Sequence, residues 1–120
     1  MAEVLAFVDD LFFQAKIAET ARQLKIELCT CSTSGALLAE LAKATPKLVV
    51  VDLNSRSEAL ESIVQMRKAA PEIPVVAFLS HVQTELAEKA RAAGCREVVP
   101  RSIFTRDLAT ILARVKSEPS

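Results

Sequence analysis

Acidic side chains stand where apolar runs stop. "VLAFVDD" ends on two adjacent carboxylates, Asp9 and Asp10, and "KLVVVD" ends on a third, Asp52. The second run is apolar and β-branched, so it reads as a strand buried on both faces, and an acid at its end calls for a reason. If the three carboxylates meet in one crevice, each close pair costs about 4 kcal/mol at a separation of about 4 Å and an effective dielectric near 20. Such a cluster is poor structure unless a cation neutralises it. Oxygen ligands from two or three carboxylates plus waters suit Mg²⁺. A carboxylate beside Mg²⁺ can also attack phosphorus and form an aspartyl-phosphate.

Whether the acids meet depends on the elements that carry them. Strand-like and helix-like segments alternate five times along the chain. Strands are expected over 3–8, 26–31, 47–52, 74–79 and 95–99, and helices over 10–25, after "STSG", over 57–70, 84–94 and 105–116. The first helix carries Phe13, Ile17, Ala21 and Leu24 at helical spacing. The second has hydroxyl caps in "STSG" and an apolar side of Leu37, Leu38 and Leu41, and Pro46 closes it. The third has Leu60, Ile63, Val64 and Arg67 at that spacing. Gly94 suits the end of the fourth. The fifth turns Leu108, Ile111, Leu112 and Val115 inward.

Alternating strands and helices read as βαβ units and hence as a parallel sheet covered on both faces. With right-handed crossovers, five strands suit a flavodoxin-like (βα)5 three-layer α/β sandwich in the order 2-1-3-4-5. Ligands then bind outside the carboxyl ends of the strands, where the order reverses between strands 1 and 3. That is where Asp9, Asp10 and Asp52 come together.

Composition excludes several alternatives. The chain has 120 residues, 51% apolar and 25% charged, which suits one globular domain over 1–120. Fifteen basic residues balance fifteen acidic ones, so no basic stripe points to nucleic acid. No apolar run is long enough to span a bilayer, and no basic region precedes an apolar run at the N-terminus. A cytoplasmic protein is expected, without a membrane partner. With only Gly35 and Gly94, neither a dinucleotide fingerprint nor a P-loop can be built. Aromatics are 4%, all Phe, which is thin for a flavin site. Cys29 and Cys31 fall on one face of a strand. They lack a second ligand pair and the two-residue spacing of a redox motif, so with Cys95 they read as small buried apolar residues.

From "VLAFVDD" to "LATILARV" the chain resembles a response-regulator receiver domain of the CheY-like type, as an atypical member. The resemblance implies that Asp52 is a phosphoacceptor. It implies that Asp9, Asp10 and Asp52 hold Mg²⁺ together with the backbone carbonyl of Asn54. A histidine kinase or phosphotransfer protein would supply the phosphoryl group. The face of the fourth helix, fifth strand and fifth helix would bind a downstream protein, and the chain would be a monomer or weak homodimer. Its only chemistry would be self-catalysed aspartyl phosphorylation and dephosphorylation.

The departures from that pattern concern the groups that read the phosphate. Receivers carry Thr or Ser at the end of strand 4, where this chain has Leu79 and, one place later, Ser80. Arg101 replaces the strand 5 Lys, a planar fork in place of a compact point charge. Ser102 replaces the Pro that follows that Lys, and Val98 replaces the switch aromatic. The loop after Asp52 lacks the family's Pro and its Asp-Gly pair. Arg101 is expected to pair with Asp52 or Asp9, and Asp10 can also cap the first helix. His81 reads as a loop residue near the crevice. Two functions follow: a phosphorylated receiver, or a degenerate pseudo-receiver that binds partners without a phosphate switch.

Overall fold

β-Branched runs become the strands of one parallel sheet: β1 Val4–Phe7, β2 Leu28–Cys31, β3 Leu48–Asp52, β4 Val75–Leu79 and β5 Glu97–Pro100. The computed structural model describes residues 2–43, 45–54, 59–80 and 83–117. Between the strands lie α1 Leu11–Gln23, α2 Ser34–Lys43, α3 Ala59–Ala69 and α4 Thr84–Ala93. After β5 come α5 Arg101–Arg106 and α6 Leu108–Ser117. The strand order is 2-1-3-4-5, as the alternating pattern predicts.

Side-chain alternation along the strands divides the core in two. Leu5, Phe7, Val49, Val51, Val75, Ala77 and Leu79 pack with Leu37, Ile63 and Met66 from α2 and α3. Val4, Ala6, Val50, Val76 and Phe78 pack on the other face with Ile17 of α1, Phe104 of α5, and Leu112 of α6. β3 and β4 are buried at every position, which is why they read as unbroken apolar runs. Each fully buried Val, Leu or Phe contributes about 1.5–3 kcal/mol, so these two strands anchor whatever stands at their ends.

Several boundaries differ from the sequence expectation, each for a local reason. β2 starts at Leu28 rather than residue 26 because Lys25 turns left-handed (φ 59°) to end α1. The Ile26 N–H then donates to the Ala21 carbonyl at 2.9 Å, a helix-ending bond. The buried stripe of α3 is Ala59, Ser62, Ile63 and Met66, so Leu60, Val64 and Arg67 flank it rather than define it. Leu38 and Leu41 likewise flank Leu37, the buried residue of α2. Leu108, Ile111, Leu112 and Val115 are buried as expected, and the Thr33 hydroxyl accepts the Ala36 N–H at 3.1 Å at the start of α2.

The largest correction is at the end of the sheet. The fifth strand is not 95–99 but Glu97–Pro100, and helix begins at Arg101, not residue 105. Pro100 lacks a backbone donor, which the free side of an edge strand tolerates. Its φ of −61° already suits entry into a helix. Arg101 is therefore the first residue of α5, which puts its side chain at the carboxyl end of the sheet.

Candidate functional site

The register sets the site. Phe7 pairs with Val51 and Asp52 with Phe78, so β1, β3 and β4 end side by side. Val8 is still buried, and the chain then leaves the sheet at Asp9, half-buried, and Asp10, exposed. Asp10 has extended backbone geometry, and its Oδ1 accepts the Phe13 N–H at 3.1 Å. It is thus the N-cap of α1, and the same residue faces the crevice.

Asp52 is a buried acid, 2% exposed. Its Oδ1 accepts the Asn54 N–H at 2.9 Å, and its Oδ2 accepts from the Arg101 guanidinium at 3.1 Å. Of the two pairings expected for Arg101, this one with Asp52 is made. The guanidinium also lies over the rings of Phe13 and Phe78, at 4.8 and 5.3 Å from their centroids. A planar cation can stack there as well as pair. Phe78 in turn stacks on Phe104 at 4.4 Å, so Arg101 rests on an aromatic floor fixed by β4, α1 and α5.

These contacts compete over the charge on Asp52. Burial pushes its carboxyl above the usual carboxylate range. The Asn54 N–H and the Arg101 charge pull it down, and the charges of Asp9 and Asp10 push it up again. The net direction is upward, because two favourable contacts do not make up for lost hydration plus two like charges.

Asp9, Asp10, Asp52, Asn54 and Arg101 all line one open cavity of about 590 Å³, with Leu11 and Phe12. Five of the site residues expected from sequence are thereby brought together. Ser80 is not among them. It is exposed, and its backbone N–H donates to the Asn54 Oδ1 at 2.7 Å. Ser80 lines a different groove of about 140 Å³, together with Leu79, Thr84, Ala87, Val98 and Pro100. Leu79 itself is buried at the end of β4. His81 lies outside the described residues.

The donor chemistry of the crevice, three carboxylates around one cavity, suits a hard dication. In the arrangement described, both Asp52 oxygens and one Asp10 oxygen already accept hydrogen bonds. Among the described residues no group of three or more His, Cys, Asp or Glu side chains is gathered closely enough to hold a metal ion. A cation bound at the Asp52 Oδ2 would share that oxygen with Arg101.

Some residues of the site escape the sequence reading. Leu11 and Phe12 are 76% and 92% exposed beside the acids. The signal was present in "LFF", since one helix cannot turn three successive apolar residues inward. Gln83 accepts from the Asn54 side-chain amide at 2.8 Å, thus fixing the loop after β3 to the start of α4. Residues 54 and 83 are too far apart in sequence to announce that bond. The aromatic floor under Arg101 was equally hidden, because Phe13 and Phe78 read simply as core.

The geometry matches that of known proteins. The receiver domain of NtrX from Brucella abortus superposes with a TM-score of 0.82 at 23% identity, covering 97% of this chain and 99% of that one. The chain has the fold of the CheY-like response-regulator receiver domains. The chemotaxis response regulator CheY4 of Vibrio cholerae gives 0.82 at 21% identity, over 96% of this chain and 98% of that one. Brucella abortus NtrX in complex with ADP also gives 0.82, at 24% identity, over 98% of this chain. The chain spans 27% of that longer protein. At these identities the likeness is one of fold. No protein-family model and no curated protein matches the chain. Among the described residues no helix is long and apolar enough to cross a membrane.

Proposed function

We propose that this chain is a receiver domain of a two-component or phosphorelay system, spanning 1–120, with Asp52 as phosphoacceptor. The observation that carries the reading is the Asp52–Arg101 pair, 3.1 Å long, at the floor of a crevice that Asp9 and Asp10 also line. Asp52 offers a carboxylate oxygen to phosphorus. Arg101 stands where a cation can meet the incoming phosphoryl oxygens, and its fork suits phosphate geometry. Asp9 and Asp52, with the Asn54 carbonyl and, in part, Asp10, would hold Mg²⁺. The metal supplies charge neutralisation for the transfer. A histidine kinase or phosphotransfer protein in the cytoplasm would donate the group. The chemistry of the chain would be confined to gaining and losing its own phosphoryl group. A downstream protein would bind the face of α4, β5 and α6, to a monomer or weak homodimer.

A second reading has a specific observation behind it. Both Asp52 oxygens are already satisfied within the chain, and Leu79 stands buried where receivers have a hydroxyl. On this reading Arg101 substitutes for metal and phosphate, and the domain binds partners without a switch. Intact-mass measurement after incubation with acetyl phosphate and Mg²⁺ separates the two. Addition of one phosphoryl group, absent in Asp52→Asn, supports the first. An unchanged mass under conditions that label a known receiver supports the second.

A further inference from the structure

Arg101 has two anchors of different kinds. Its side chain is long, rich in rotamers and partly exposed. Among the described residues it makes a single hydrogen bond, from Nη2 to the Asp52 Oδ2. This is not the bidentate fork that fixes an arginine in place, and an ion pair at a partly exposed site holds weakly by itself. The second anchor is aromatic. The guanidinium carbon lies 4.8 Å from the Phe13 ring centroid and 5.3 Å from that of Phe78, both inside the roughly 6 Å over which a ring face attracts a cation.

The rings are themselves fixed. Phe78 and Phe104 are fully buried and stack 4.4 Å apart. Phe13 packs against both, at 5.0 and 5.9 Å between centroids. Its backbone N–H also donates to the Asp10 carboxylate at the start of α1, so the ring and the acidic rim of the crevice share one attachment. A planar guanidinium can lie against such rings and still turn N–H groups toward an acceptor, which an ammonium on a flexible stem does less well.

Phosphoryl transfer acts on only one of these anchors. An Asp52 oxygen bonds to phosphorus, the bond from phosphorus to the donor's leaving oxygen breaks, and that oxygen departs with the electron pair. The carboxylate becomes the uncharged acyl end of an acyl phosphate, and the negative charge now lies on the phosphoryl oxygens. The ion pair with Asp52 is thereby lost, while the rings are unchanged. We propose that Phe13 is a positioning residue. Together with Phe78 it seats the Arg101 guanidinium at the crevice independently of the Asp52 charge, and the cation stays in place to meet the phosphoryl oxygens. The consequence for transfer rests on Asp52 as phosphoacceptor; the seat itself rests on the ring geometry.

The test uses the full chain, isotope-labelled for NMR. In wild type and in Asp52→Asn, the Arg101 side chain should show proton contacts to the Phe78 ring and an equally ordered Nε–H group. In Asp52→Asn combined with Phe13→Leu, the Phe78 contacts should weaken at least twofold and the Nε–H group should become mobile. With acetyl phosphate and Mg²⁺, Phe13→Leu should slow phosphorylation several-fold in wild type and have no further effect in Arg101→Ala. The proposal is overturned if Asp52→Asn alone frees Arg101, or if the double variant leaves it ordered. It is equally overturned if Phe13→Leu slows Arg101→Ala as much as it slows wild type. Should Phe13→Leu lose its folded amide spectrum, trifluorinated phenylalanine at that position replaces it, keeping the shape while weakening the attraction of the ring face. A chain that takes no phosphoryl group at all sinks the reading of Asp52, and the order of Arg101 in the two Asn variants still decides the seat.

Discussion

The ends of β1 and β3 and the ends of β4 and β5 lie side by side on one sheet, yet they are built from opposite materials. At the first pair, acids and one arginine surround an open crevice. At the second, Leu79, Val98 and Pro100 border a small and largely apolar groove that Ser80 and Thr84 also line. The first region has the groups to accept a charged ligand. In the second, Leu79 is buried at the end of β4 and Val98 in β5, with no aromatic ring lining the groove among the described residues. A ligand shifts a conformational equilibrium only by its differential affinity for the two states. On the proposed function, the acid end is expected to bind while the apolar end stays still.

The largest effect should come from removing the cation of the acid end. Arg101→Ala leaves Asp52 buried beside Asp9 and Asp10 with one bond fewer. Removing one partner of a fully buried pair costs about 3–5 kcal/mol. Arg101 is 35% exposed, so about 2 kcal/mol is expected in urea denaturation. Adding Asp52→Asn to that variant should recover most of the loss. No recovery would mean that Arg101 acts through its stacking on Phe13 and Phe78 and not through the charge.

Asp52→Asn alone should be neutral to about 1 kcal/mol stabilising in metal-free buffer at neutral pH, since a neutral isostere can still accept the Asn54 N–H. The sign follows from the raised carboxyl. A group whose native pKa lies above its unfolded value stabilises fully below the unfolded value, here 3.8, and loses that contribution as pH rises through the native value. The variant and wild type should thus converge below about pH 3.8 and separate as pH rises to neutrality. A gap of constant size would assign the effect to packing. Millimolar Mg²⁺ should raise the melting temperature of wild type and not of Asp52→Asn. An unchanged wild type would count against a metal site.

A subtler effect tests the silence of the apolar end. With beryllofluoride and Mg²⁺, backbone amide shifts should stay near residues 9, 10 and 52–54. Large shifts reaching 96–112 would break the contrast between the two regions. Ser80→Ala, the smallest change, should alter stability by less than about 0.5 kcal/mol, as an exposed site does. It should also leave the beryllofluoride shifts as they are. If it abolishes them, the Ser80 hydroxyl does the work that Leu79 cannot.

Much of this was legible in the sequence, and for a definite reason. Period-2 and period-3.6 patterns depend on local chemistry, so the five βα units, the strand order and the meeting of Asp9, Asp10 and Asp52 could be read from residue types alone. Asn54 and Arg101 were placed at the crevice by resemblance, and the fold brings both there. The boundary at Arg101 could not be read, because "CREVV" is strand-like by composition. The backbone at Pro100, constrained by its ring, decided where helix begins. Ser80 was offered as a possible crevice hydroxyl; its backbone N–H donates to Asn54 Oδ1, and the residue lines the other groove.

The sequence by itself determined the sheet, its order and the acids at its switch point, because apolar periodicity and turn chemistry act over a few residues at a time. Only the tertiary structure decided what those acids meet. The Arg101 guanidinium lies 49 residues from Asp52, its aromatic floor comes from α1 and β4, and Gln83 reaches Asn54 across 29 residues. Such contacts depend on how helices are set against the sheet and on which side chains meet across the strand ends. No local pattern carries that information. The charge state of Asp52 follows from it, because desolvation, ion pairing and like-charge repulsion exist only once the chain has closed around the carboxylate.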